Sequence, residues 1–410
     1  MKKINIGVLG VGYVGLPLTI SLGKYFKTIG FDLNKERIKQ LNQGIDTNND
    51  FTKKQFKLSK KAFFTYEKKY LKKVNVYIIT VPTPVTKTKK PDLTLLNKAI
   101  EIVAKYLSDN DTIIIESTVY PGYCETEIPK ILKNLKKNFT LNKNFFIGYS
   151  PERINPGDKT HTINNITKII SGSNSSTVNL LKKIYGKINK NKLFKAKSIK
   201  VAEAAKVIEN AQRDINIAFV NELSYLFNKM NIPVNDVIKA ASTKWNFLKF
   251  YPGFVGGHCV AVDPYYLSFI SNHFGFEPKF LLRARKINDY FYKHVFKLIS
   301  KKLKKNSKIL VMGVTFKENC PDVRNSQIPK LVELLKRKYL VHVYDPIANV
   351  AKNYSIKEKK IKKYDAIILC VKHNKFKLFG IDTLNKKLIK DGIIFDIKNM
   401  LGNYKNVIKL

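Results

Sequence analysis

Hydrophobic and polar residues along the first 110 or so positions alternate between short apolar runs and longer stretches of helical spacing. Runs with the length of buried strands occur at Ile4–Leu9, Thr28–Phe31, Val76–Val81 and Thr112–Glu116, and again at Phe145–Gly148 and Lys168–Ser171. Apolar residues recur with helical spacing at Leu16–Phe26 and Leu93–Tyr106. This alternation predicts βαβ units, and therefore a parallel sheet with helices on both faces.

The pattern becomes helical from about Ser198. Val201 to Lys229 has helical periodicity with no internal Gly or Pro, which predicts a helix of about 40 Å. Helices this long commonly link domains or form dimer contacts. Further helices are predicted at Ile232–Phe250, Pro264–Phe274 and Lys279–Leu303.

Strand-like runs return near the carboxyl end of the chain. The predicted strands are Ile309–Met312, Val341–Tyr344, Ala366–Val371 and Ile393–Asp396, with a helix at Ile328–Lys336. The chain is therefore predicted to be α/β, then helical, then α/β, and its outer parts could share one architecture.

Composition indicates a globular protein of two or three domains: 410 residues are 44% hydrophobic and 26% charged. No apolar run approaches the roughly 20 residues that span a bilayer. The apolar start of the chain contains Asn5 and three glycines, and no cleavage site follows it. We therefore expect a cytoplasmic strand there rather than a signal peptide.

The formal net charge of +44 is the unusual feature of the composition. One interpretation is a nucleic-acid or anionic-surface binder. The other is compositional bias, because only seven of the 75 basic residues are Arg and the lysines are spread evenly. A DNA-reading face would cluster its charge and use Arg, so bias is favoured.

Cysteine usage indicates neither a metal site nor a disulfide framework. The cysteines, Cys124, Cys259, Cys320 and Cys370, form no CxxC pair, and no His stands at zinc-ligand spacing. Each cysteine is by default a small buried hydrophobic residue.

A glycine motif, Gly10-Val-Gly12-Tyr-Val-Gly15, follows the first strand and opens a helix. The glycines allow a tight turn, close approach of a pyrophosphate and close helix–strand packing. Asp32 lies 20 residues after Gly12 at the end of the next strand, where a carboxylate can accept both ribose hydroxyls. The motif predicts dinucleotide binding, and Asp32 favours NAD over NADP, although the basic residues Lys35 and Arg37 are nearby.

Two polar segments follow strand ends, where open parallel sheets bind ligands. They are Val81-Pro82-Thr83-Pro84 and Glu116-Ser117-Thr118. A rigid turn explains the first equally well, and a helix cap explains the second.

Candidate chemistry is concentrated in the central region. Cys259 follows the Gly256-Gly257 pair and precedes Asp263 by four residues, so a thiolate there could attack an aldehyde. Lys206 and Asn210 share one helix face at i, i+4. A buried Cys behind a turn and a solvated Lys are the alternatives.

The few arginines stand near turns or in the central helical region, notably Arg153, Arg213, Arg283, Arg285 and Arg324. In a chain that otherwise uses Lys, a retained Arg suggests a need for the planar fork that matches carboxylate or phosphate. Random retention explains two or three of them equally well.

These motifs together resemble the UDP-glucose/GDP-mannose dehydrogenase family over essentially the whole chain, and within it the bacterial UDP-N-acetylhexosamine 6-dehydrogenases. The matching stretches are GVGYVGLPL from Gly10, VPTPV from Val81, ESTVYPG from Glu116, SPERINPGD from Ser150, AEAAKVIENAQRDINIAFVNEL from Ala202, PGFVGGHCVAVDPYYL from Pro252 and GVTFKENCPDVRNS from Gly313.

The resemblance implies two Rossmann-like domains joined by a helical domain. These would be an NAD-binding domain at 1–197, a helical dimerisation domain at 198–304 and a UDP-sugar-binding domain at 305–410. The reaction would oxidise the carbon-6 alcohol of a UDP-N-acetylhexosamine, GlcNAc or GalNAc, to a uronic acid for polysaccharide synthesis, with two NAD and no metal.

The resemblance also implies residue roles. Cys259 would form a thiohemiacetal and then a thioester, and Glu152 would assist the water that hydrolyses it. Lys206 and Asn210 would stabilise the oxyanion, with Asp263 and Thr118 assisting water and proton transfer. The cofactor would contact Gly10, Gly12, Tyr13, Val14, Gly15, Asp32, Arg37, Pro82, Thr83, Thr118 and Arg324. The substrate would contact Glu152, Arg153, Lys206, Asn210, Arg213, Phe254, Gly256, Gly257, Arg283, Arg285, Phe316 and Lys317. Its pyrophosphate would lie at the Gly256-Gly257 pair, beside Lys317 and one of Arg283 or Arg285.

Two alternatives stay open at this point. Another family member would act on UDP-glucose or UDP-N-acetylmannosamine; His258 and the Asp263-Pro-Tyr-Tyr run favour the N-acetylhexosamine branch by resemblance. A different class would be a non-enzymatic NAD-binding or basic nucleic-acid-binding protein, which predicts charge clustered on one face.

Overall fold

A computed structural model of the chain describes residues 3–47, 51–154, 160, 162–348 and 363–410. Part of the SPERINPGD motif lies outside the described residues. The chain divides into two compact units: residues 1–209 with 265–276, and residues 210–264 with 277–410.

The first unit is built on an eight-stranded sheet of order β3-β2-β1-β4-β5-β6-β7-β8. Its strands are β1 Asn5–Leu9, β2 Lys27–Phe31, β3 Ala62–Thr65, β4 Val76–Ile79, β5 Asp111–Ile115, β6 Phe145–Tyr149, β7 Lys168–Gly172 and β8 Leu193–Lys195. Its helices are α1 Gly15–Leu22, α2 Lys35–Asn42, α3 Lys53–Leu58, a 3-10 helix at Lys68–Lys73, α4 Thr94–Ala104, α5 Tyr123–Leu135 and α6 Ser175–Asn189. Neighbouring strands are parallel except β6 and β7.

Apolar side chains of this sheet alternate between two buried clusters. Ile113 and Ile115 pack on one face with helices α4 and α5, whereas Ile114 packs on the other with α6. Burial on both faces explains why β5 is an uninterrupted apolar run.

Helices fill the middle of the chain. They are α7 Ile199–Lys229, α8 Val234–Ala241, α9 Asp263–His273 and α10 Lys279–Ser300. The 31-residue α7 confirms the predicted long helix. The prediction of a helix over Ile232–Phe250 was wrong beyond Ala241, because the Ser242 and Thr243 hydroxyls bond to carbonyls of α8 and the chain continues in turns.

The second unit contains a five-stranded parallel sheet of order β10-β9-β11-β12-β13. The strands are β9 Lys308–Met312, β10 Leu340–Tyr344, β11 Tyr364–Leu369, β12 Leu388–Asp396 and β13 Val407–Lys409, with helix α11 at Ile328–Lys336 and short helices at Asn374–Lys377 and Ile381–Asn385. The predicted α/β, helical, α/β order is confirmed. Among the described residues, no helix combines the length and apolarity that crossing a bilayer needs.

Candidate active site

The glycine loop of the first unit has the geometry that its sequence predicts. Gly10 has φ +94°, and its amide donates to the Phe31 carbonyl over 2.8 Å. A Cβ on Gly15 would lie 1.9 Å from the Gly10 oxygen, whereas a Cβ on Gly12 would meet no atom within 4 Å. Close packing therefore requires glycine at position 15, and Gly12 leaves room for a ligand to approach the backbone.

Asp32 follows β2 directly, as predicted. Its Oδ2 accepts the Val11 amide and its Oδ1 accepts the Asn34 amide, each over 2.9 Å. The carboxylate is thus fixed beside the glycine loop. Arg37 lies beside the same loop, where its Nε donates to the Val11 carbonyl over 3.4 Å, but its charge is paired: Nη2 lies 2.9 Å from Asp46 Oδ1, and Nη1 donates to Thr47.

Helix α1 begins directly after this loop. Val14 provides no side-chain cap, and the first turn contains no acidic residue. A helix start of this kind favours an anion, because the first N–H groups and the helix dipole face it. With the open space at Gly12 and the carboxylate of Asp32, these residues fit NAD.

Neighbouring strand ends are hydrogen-bonded to this loop and to each other. Thr80 Oγ1 donates to the Gly10 carbonyl over 2.7 Å, Ser117 Oγ donates to Val81 O over 2.7 Å, and Thr83 Oγ1 donates to Thr118 O over 2.8 Å. Ser117 is therefore a link between strand ends and not a helix cap. Pro82, Thr83 and Thr118 lie at the carboxyl edge where a dinucleotide binds in sheets of this type.

Glu152 follows β6 at the same edge of the sheet. Its Oε1 accepts the amides of Arg153, over 2.7 Å, and Ile154. Its Oε2 is buried and has no hydrogen-bond partner in the described part of the chain. A buried carboxylate oxygen without a partner has unused capacity to accept a hydrogen bond.

A buried cluster lies behind Glu152. Lys168 Nζ is 3.0 Å from Glu116 Oε2 and 3.4 Å from the Pro151 carbonyl, and the Tyr185 hydroxyl donates to Glu116 Oε1 over 2.5 Å. Burial raises the pKa of Glu116, against the opposing effect of Lys168. Burial and the Glu116 charge together raise the pKa of Tyr185.

The part of α7 in the first unit provides three polar residues with different surroundings. Glu203, fully buried, accepts the amides of Gly122 and Cys124 at the start of α5 over 2.5 and 2.9 Å. Glu209 forms an ion pair with Arg153, 2.9 Å from its Nη2. Lys206 is buried, with 7% of its surface exposed, and so differs from the solvated lysines of the chain.

Cys259, in the second unit, is exposed, whereas Cys124, Cys320 and Cys370 are buried. Burial raises the pKa of the Cys370 thiol to about 12 and that of Cys124 well above its usual value. The exposed cysteine is therefore the one that solvent and a substrate can reach.

The glycine pair before Cys259 packs against the loop that follows β9. A Cβ on Gly256 would lie 2.7 Å from the Asn325 carbonyl, and a Cβ on Gly257 would lie 2.7 Å from the Phe316 ring. Phe254 and Lys317 are half-buried. Contact between these two loops is thus one reason for glycine at both positions.

The Asp322 carboxylate joins the two loops, because it contacts His258 of one loop and Arg324 of the other. Arg324 forks onto it, with Nη2 2.7 Å and Nε 3.0 Å from its oxygens, and His258 Nε2 lies 3.2 Å from Oδ2. Burial opposes ionisation of Asp322, but the hydrogen bonds from His258 and Arg324 outweigh it and hold its pKa well below the usual range. Asp322 therefore orients the residue next to Cys259.

Asn210 and Asp263 form a direct contact. Asn210 Nδ2 donates to Asp263 Oδ2 over 2.6 Å, and Asp263 is 1% exposed at the start of α9. The Asp263 amide in turn donates to the Cys259 carbonyl over 2.8 Å. The structure thus links these three predicted residues through the turn that carries Cys259.

The predicted substrate arginines differ in accessibility. Arg285 is 1% exposed and pairs with Asp214 and, over 2.6 Å, with Asp289. Because burying a charge is costly unless it is paired, Arg285 is held in this cluster, which corrects the expectation that it serves the substrate. Arg283 and Arg213 are exposed, so Arg283 is the better candidate of the original pair.

Residue patterns alone did not identify Lys168, Glu203 or Asp322. Lys168 begins an otherwise apolar strand, which is the one signal of its burial, and the abundance of Lys hides it. Glu203 accepts amides that are distant in sequence, and Asp322 joins the nearby Arg324 to the distant His258, so local spacing does not reveal either role.

A cavity of about 440 Å³ lies in the second unit at the carboxyl ends of its strands. Its lining includes Lys372, Lys377 and Lys398, with Glu318 and Asn319. Its size is that of a small-molecule site, and three lysines against one glutamate favour an anion.

A largely parallel sheet with this glycine loop and an acidic residue at the end of the next strand is typical of the dinucleotide-binding domains of NAD-dependent dehydrogenases. Three models of the UDP-glucose/GDP-mannose dehydrogenase family match the chain: the NAD binding domain at residues 4–189, the central domain at 200–290 and the UDP binding domain at 310–403. The chain belongs to this family, and it is an NAD-dependent UDP-sugar dehydrogenase.

Similar proteins cover the whole chain. UDP-N-acetyl-D-glucosamine 6-dehydrogenase of Salmonella typhi is 45% identical, over 100% of this chain and 99% of the relative. The enzyme of that name from Pseudomonas aeruginosa is 43% identical, over 100% of both chains. The solved structure of a UDP-D-ManNAc dehydrogenase from Pyrococcus horikoshii has a TM-score of 0.88 at 30% identity, covering 99% of this chain and 98% of that one.

Proposed function

We propose that this enzyme oxidises the carbon-6 alcohol of a UDP-N-acetylhexosamine, GlcNAc or GalNAc, to the uronic acid through a covalent intermediate on Cys259. The observation that carries the proposal is the exposure of Cys259 in a chain whose other cysteines are buried. The product would serve polysaccharide synthesis in the cytoplasm, where free thiols persist.

The proposed chemistry proceeds in two oxidations. Loss of hydride and a proton from the alcohol gives an aldehyde, and the Cys259 thiol adds to it to form a thiohemiacetal. Loss of a second hydride and a proton gives a thioester. Water then cleaves the carbon–sulfur bond, releasing the carboxylate and restoring the thiol. NAD, when bound, accepts each hydride, so two NAD are reduced per uronate.

Residues of the chain have separate tasks in these steps. Lys206 and Asn210 stabilise the negative oxygen that develops on the adduct, and Asp263 holds the Asn210 amide in place over 2.6 Å. Glu152 takes a proton from the hydrolytic water through Oε2, the oxygen with no partner in the described residues. Thr118 assists in proton transfer and water positioning. Removing one donor to such an oxyanion slows a reaction by about 100- to 1,000-fold.

We propose that the UDP group binds in the second unit. We also propose three domains, with boundaries at about residues 198 and 305, as the resemblance implies. The cavity lined by Lys372, Lys377 and Lys398 supports this placement, as does the match of residues 310–403 to a UDP binding domain. The Gly256-Gly257 loop would hold the pyrophosphate, and Lys317 and Arg283 would neutralise its charge.

The choice of sugar is tested by NADH formation with purified UDP-GlcNAc, UDP-GalNAc, UDP-ManNAc and UDP-glucose. We expect the highest kcat/KM with UDP-GlcNAc or UDP-GalNAc, because the relatives at 45% and 43% identity carry the name UDP-N-acetyl-D-glucosamine 6-dehydrogenase. The P. horikoshii structure makes UDP-ManNAc the second candidate. Preference for UDP-ManNAc or UDP-glucose would contradict our choice.

The covalent step is tested by mass spectrometry. Glu152→Gln incubated with UDP-sugar and NAD should retain a uronyl adduct on Cys259, because hydrolysis is slowed. Cys259→Ser should form no uronate, whereas Cys370→Ala, which removes a buried thiol, should retain activity. Uronate formation by Cys259→Ser at the wild-type rate would exclude the thioester.

We also propose a homodimer. Phe219 and Leu226 lie seven residues apart on one face of α7 and are 56% and 51% exposed, and Trp245 is 91% exposed. Apolar residues exposed in this way favour burial against a second copy. Light scattering should give the dimer mass for the wild type and the monomer mass for Phe219→Asp with Leu226→Asp. A wild-type monomer at micromolar concentration would contradict it.

A further inference from the structure

His373 is completely buried and belongs to no role described above. It precedes the short helix Asn374–Lys377 and has 0% of its side chain exposed. Its sequence neighbours Lys372 and Asn374 both line the 440 Å³ cavity. The ring therefore lies beneath one edge of that cavity.

The two ring nitrogens contact the loop that follows β9 and the carboxylate of Asp345, which follows β10. Nδ1 accepts the Asn319 amide over 3.0 Å, and Nε2 lies 3.1 Å from Thr315 Oγ1 and 3.2 Å from Asp345 Oδ2. Because the Asn319 N–H donates to Nδ1, Nε2 is the ring nitrogen that can donate a hydrogen. That hydrogen faces both Asp345 and Thr315, and the Thr315 hydroxyl donates to the Lys317 carbonyl over 2.8 Å.

Asn319 is the point where the two segments are joined. It has φ +57°, a left-handed conformation that Asn adopts more readily than most other residues with a side chain. Its amide is bonded to His373, and its Oδ1 accepts the Asn374 amide over 3.0 Å. Both contacts connect the Thr315–Asn319 loop to the segment after β11.

Asp345 in the second sheet occupies a position equivalent to that of Asp32 in the first, because each carboxylate accepts the amide that follows a glycine of positive φ. Gly313 has φ +90°, its amide donates to Tyr344 O over 2.8 Å, and Asp345 Oδ2 accepts the Val314 amide over 2.8 Å. In the first sheet the corresponding carboxylate is half-buried beside open space. Here His373 covers it, so the same geometry holds a loop and is not open to a ribose.

We propose that His373 is a positioning residue for the UDP-sugar, because its ring fixes the Thr315–Asn319 loop and the Lys372–Lys377 segment in the arrangement that binds the nucleotide. The inference rests on the placement of UDP in the second unit proposed above. It concerns affinity for the nucleotide and not the redox steps.

The test uses two variants of the full-length enzyme that each keep one half of the imidazole. His373→Asn places an amide oxygen near the Nδ1 position and can still accept from Asn319. His373→Gln places an amide nitrogen near Nε2 and can still donate to Asp345, but it leaves the Asn319 amide without its acceptor. UDP binding by calorimetry and the KM values for UDP-sugar and NAD are measured for both.

We expect His373→Gln to raise the Kd for UDP by about tenfold, because the part-buried hydrogen bond that holds Asn319 to the ring is lost. His373→Asn should stay within about threefold of the wild type, and the KM for NAD should stay within about twofold in both. The control His342→Gln, which alters a histidine of β10 in contact with Tyr364, should bind UDP normally. Unchanged UDP binding by His373→Gln, or equal loss in both variants, would refute the proposal.

A second pair of variants covers the case in which His373 variants do not fold. Asn374 is the first residue of its helix, where proline is tolerated. Asn374→Pro removes the N–H that holds Asn319 Oδ1, whereas Asn374→Ala keeps it and removes the same side chain. Weaker UDP binding by the Pro variant than by the Ala variant supports the positioning role, and equal binding contradicts it. Because UDP carries no sugar, this result does not depend on which sugar is the substrate.

Discussion

Arg37 is paired with Asp46: the guanidinium Nη2 lies 2.9 Å from Oδ1, and the Asp46 side chain is fully buried. This ion pair neutralises the positive charge of Arg37, which follows Asp32 in the sequence. From sequence alone, Arg37 weakened the case for NAD, because an arginine there could bind a 2′-phosphate. The ion pair with Asp46 weakens that objection for Arg37, and Asp32 Oδ2 accepts the Val11 amide of the glycine loop.

Asp32→Ser should therefore weaken the binding of NAD and reduce the preference of the enzyme for NAD over NADP. The carboxylate is a charged acceptor, and losing such a hydrogen bond costs about 1.5–3 kcal/mol, which corresponds to a roughly 10- to 150-fold higher KM for NAD. The KM for NADP should change less, because a repulsive charge is removed at the same time. Initial rates with each cofactor measure both values. Equal KM values for NAD in the variant and the wild type would place the ribose elsewhere.

Gly12→Ala and Gly15→Ala form a matched pair. A methyl group at position 12 meets no protein atom within 4 Å, whereas one at position 15 would lie 1.9 Å from the Gly10 oxygen and 2.5 Å from Thr80 Oγ1. Gly12→Ala should keep its free energy of unfolding within about 0.5 kcal/mol but raise the KM for NAD about tenfold or more. Gly15→Ala should lose both stability and cofactor binding. Urea unfolding and NAD titration separate the two effects, and normal NAD affinity in Gly12→Ala would contradict the assigned cofactor position.

Lys168→Met should be strongly destabilising. It leaves the buried Glu116 without its ion-pair partner at 3.0 Å, and breaking a buried pair in this way costs about 3–5 kcal/mol. The double variant Lys168→Met with Glu116→Gln should recover part of the loss, because no charge is then buried alone. Lys130→Met, which breaks an exposed pair with Glu127, should change the unfolding free energy by less than about 1 kcal/mol. Similar unfolding midpoints for Lys168→Met and Lys130→Met would show that Glu116 is not ionised in the folded protein.

The residues that sequence could predict are those whose role follows from the local chain. Gly10, Gly12 and Gly15 are adjacent to the strand and helix that they join, and Asp32 ends the next strand, so spacing sufficed. Cys259 was distinguished by its glycine neighbours, and its exposure agrees with that choice.

The residues that sequence could not predict depend on contacts between distant segments. Lys168 meets Glu116 across 52 residues, and Arg285 meets Asp214 across 71. In both cases the basic residue is buried because a carboxylate distant in sequence pairs with it. Without that partner, the same residue would be expected at the surface, where a ligand could reach it. The loss of helix after Ala241 has a different cause, since serine and threonine hydroxyls compete with the backbone at a position where apolar spacing still indicates a helix.

His294 gives a prediction about pH. Its ring lies against Tyr225 and Phe291, with centroids 4.1 and 5.9 Å away, and its Nε2 has no hydrogen-bond partner in the described residues. Burial, with smaller contributions from Lys297 and Lys301, lowers the pKa of His294 from 6.5 to about 4. The folded protein thus holds this ring neutral under conditions in which the unfolded chain protonates it.

The sign of the pH effect follows from this difference. Above pH 6.5 both states are neutral at this residue and the stability is complete. As the pH falls towards about 4, the histidine is protonated in the unfolded state but stays neutral in the folded state. The free energy of unfolding therefore decreases, by up to about 3 kcal/mol. Urea midpoints at about pH 7.5 and about pH 4.5 should therefore differ more for the wild type than for His294→Phe. His273→Gln, at an exposed histidine of α9, should retain the wild-type difference. An equally large difference in His294→Phe would mean that other groups cause the acid sensitivity.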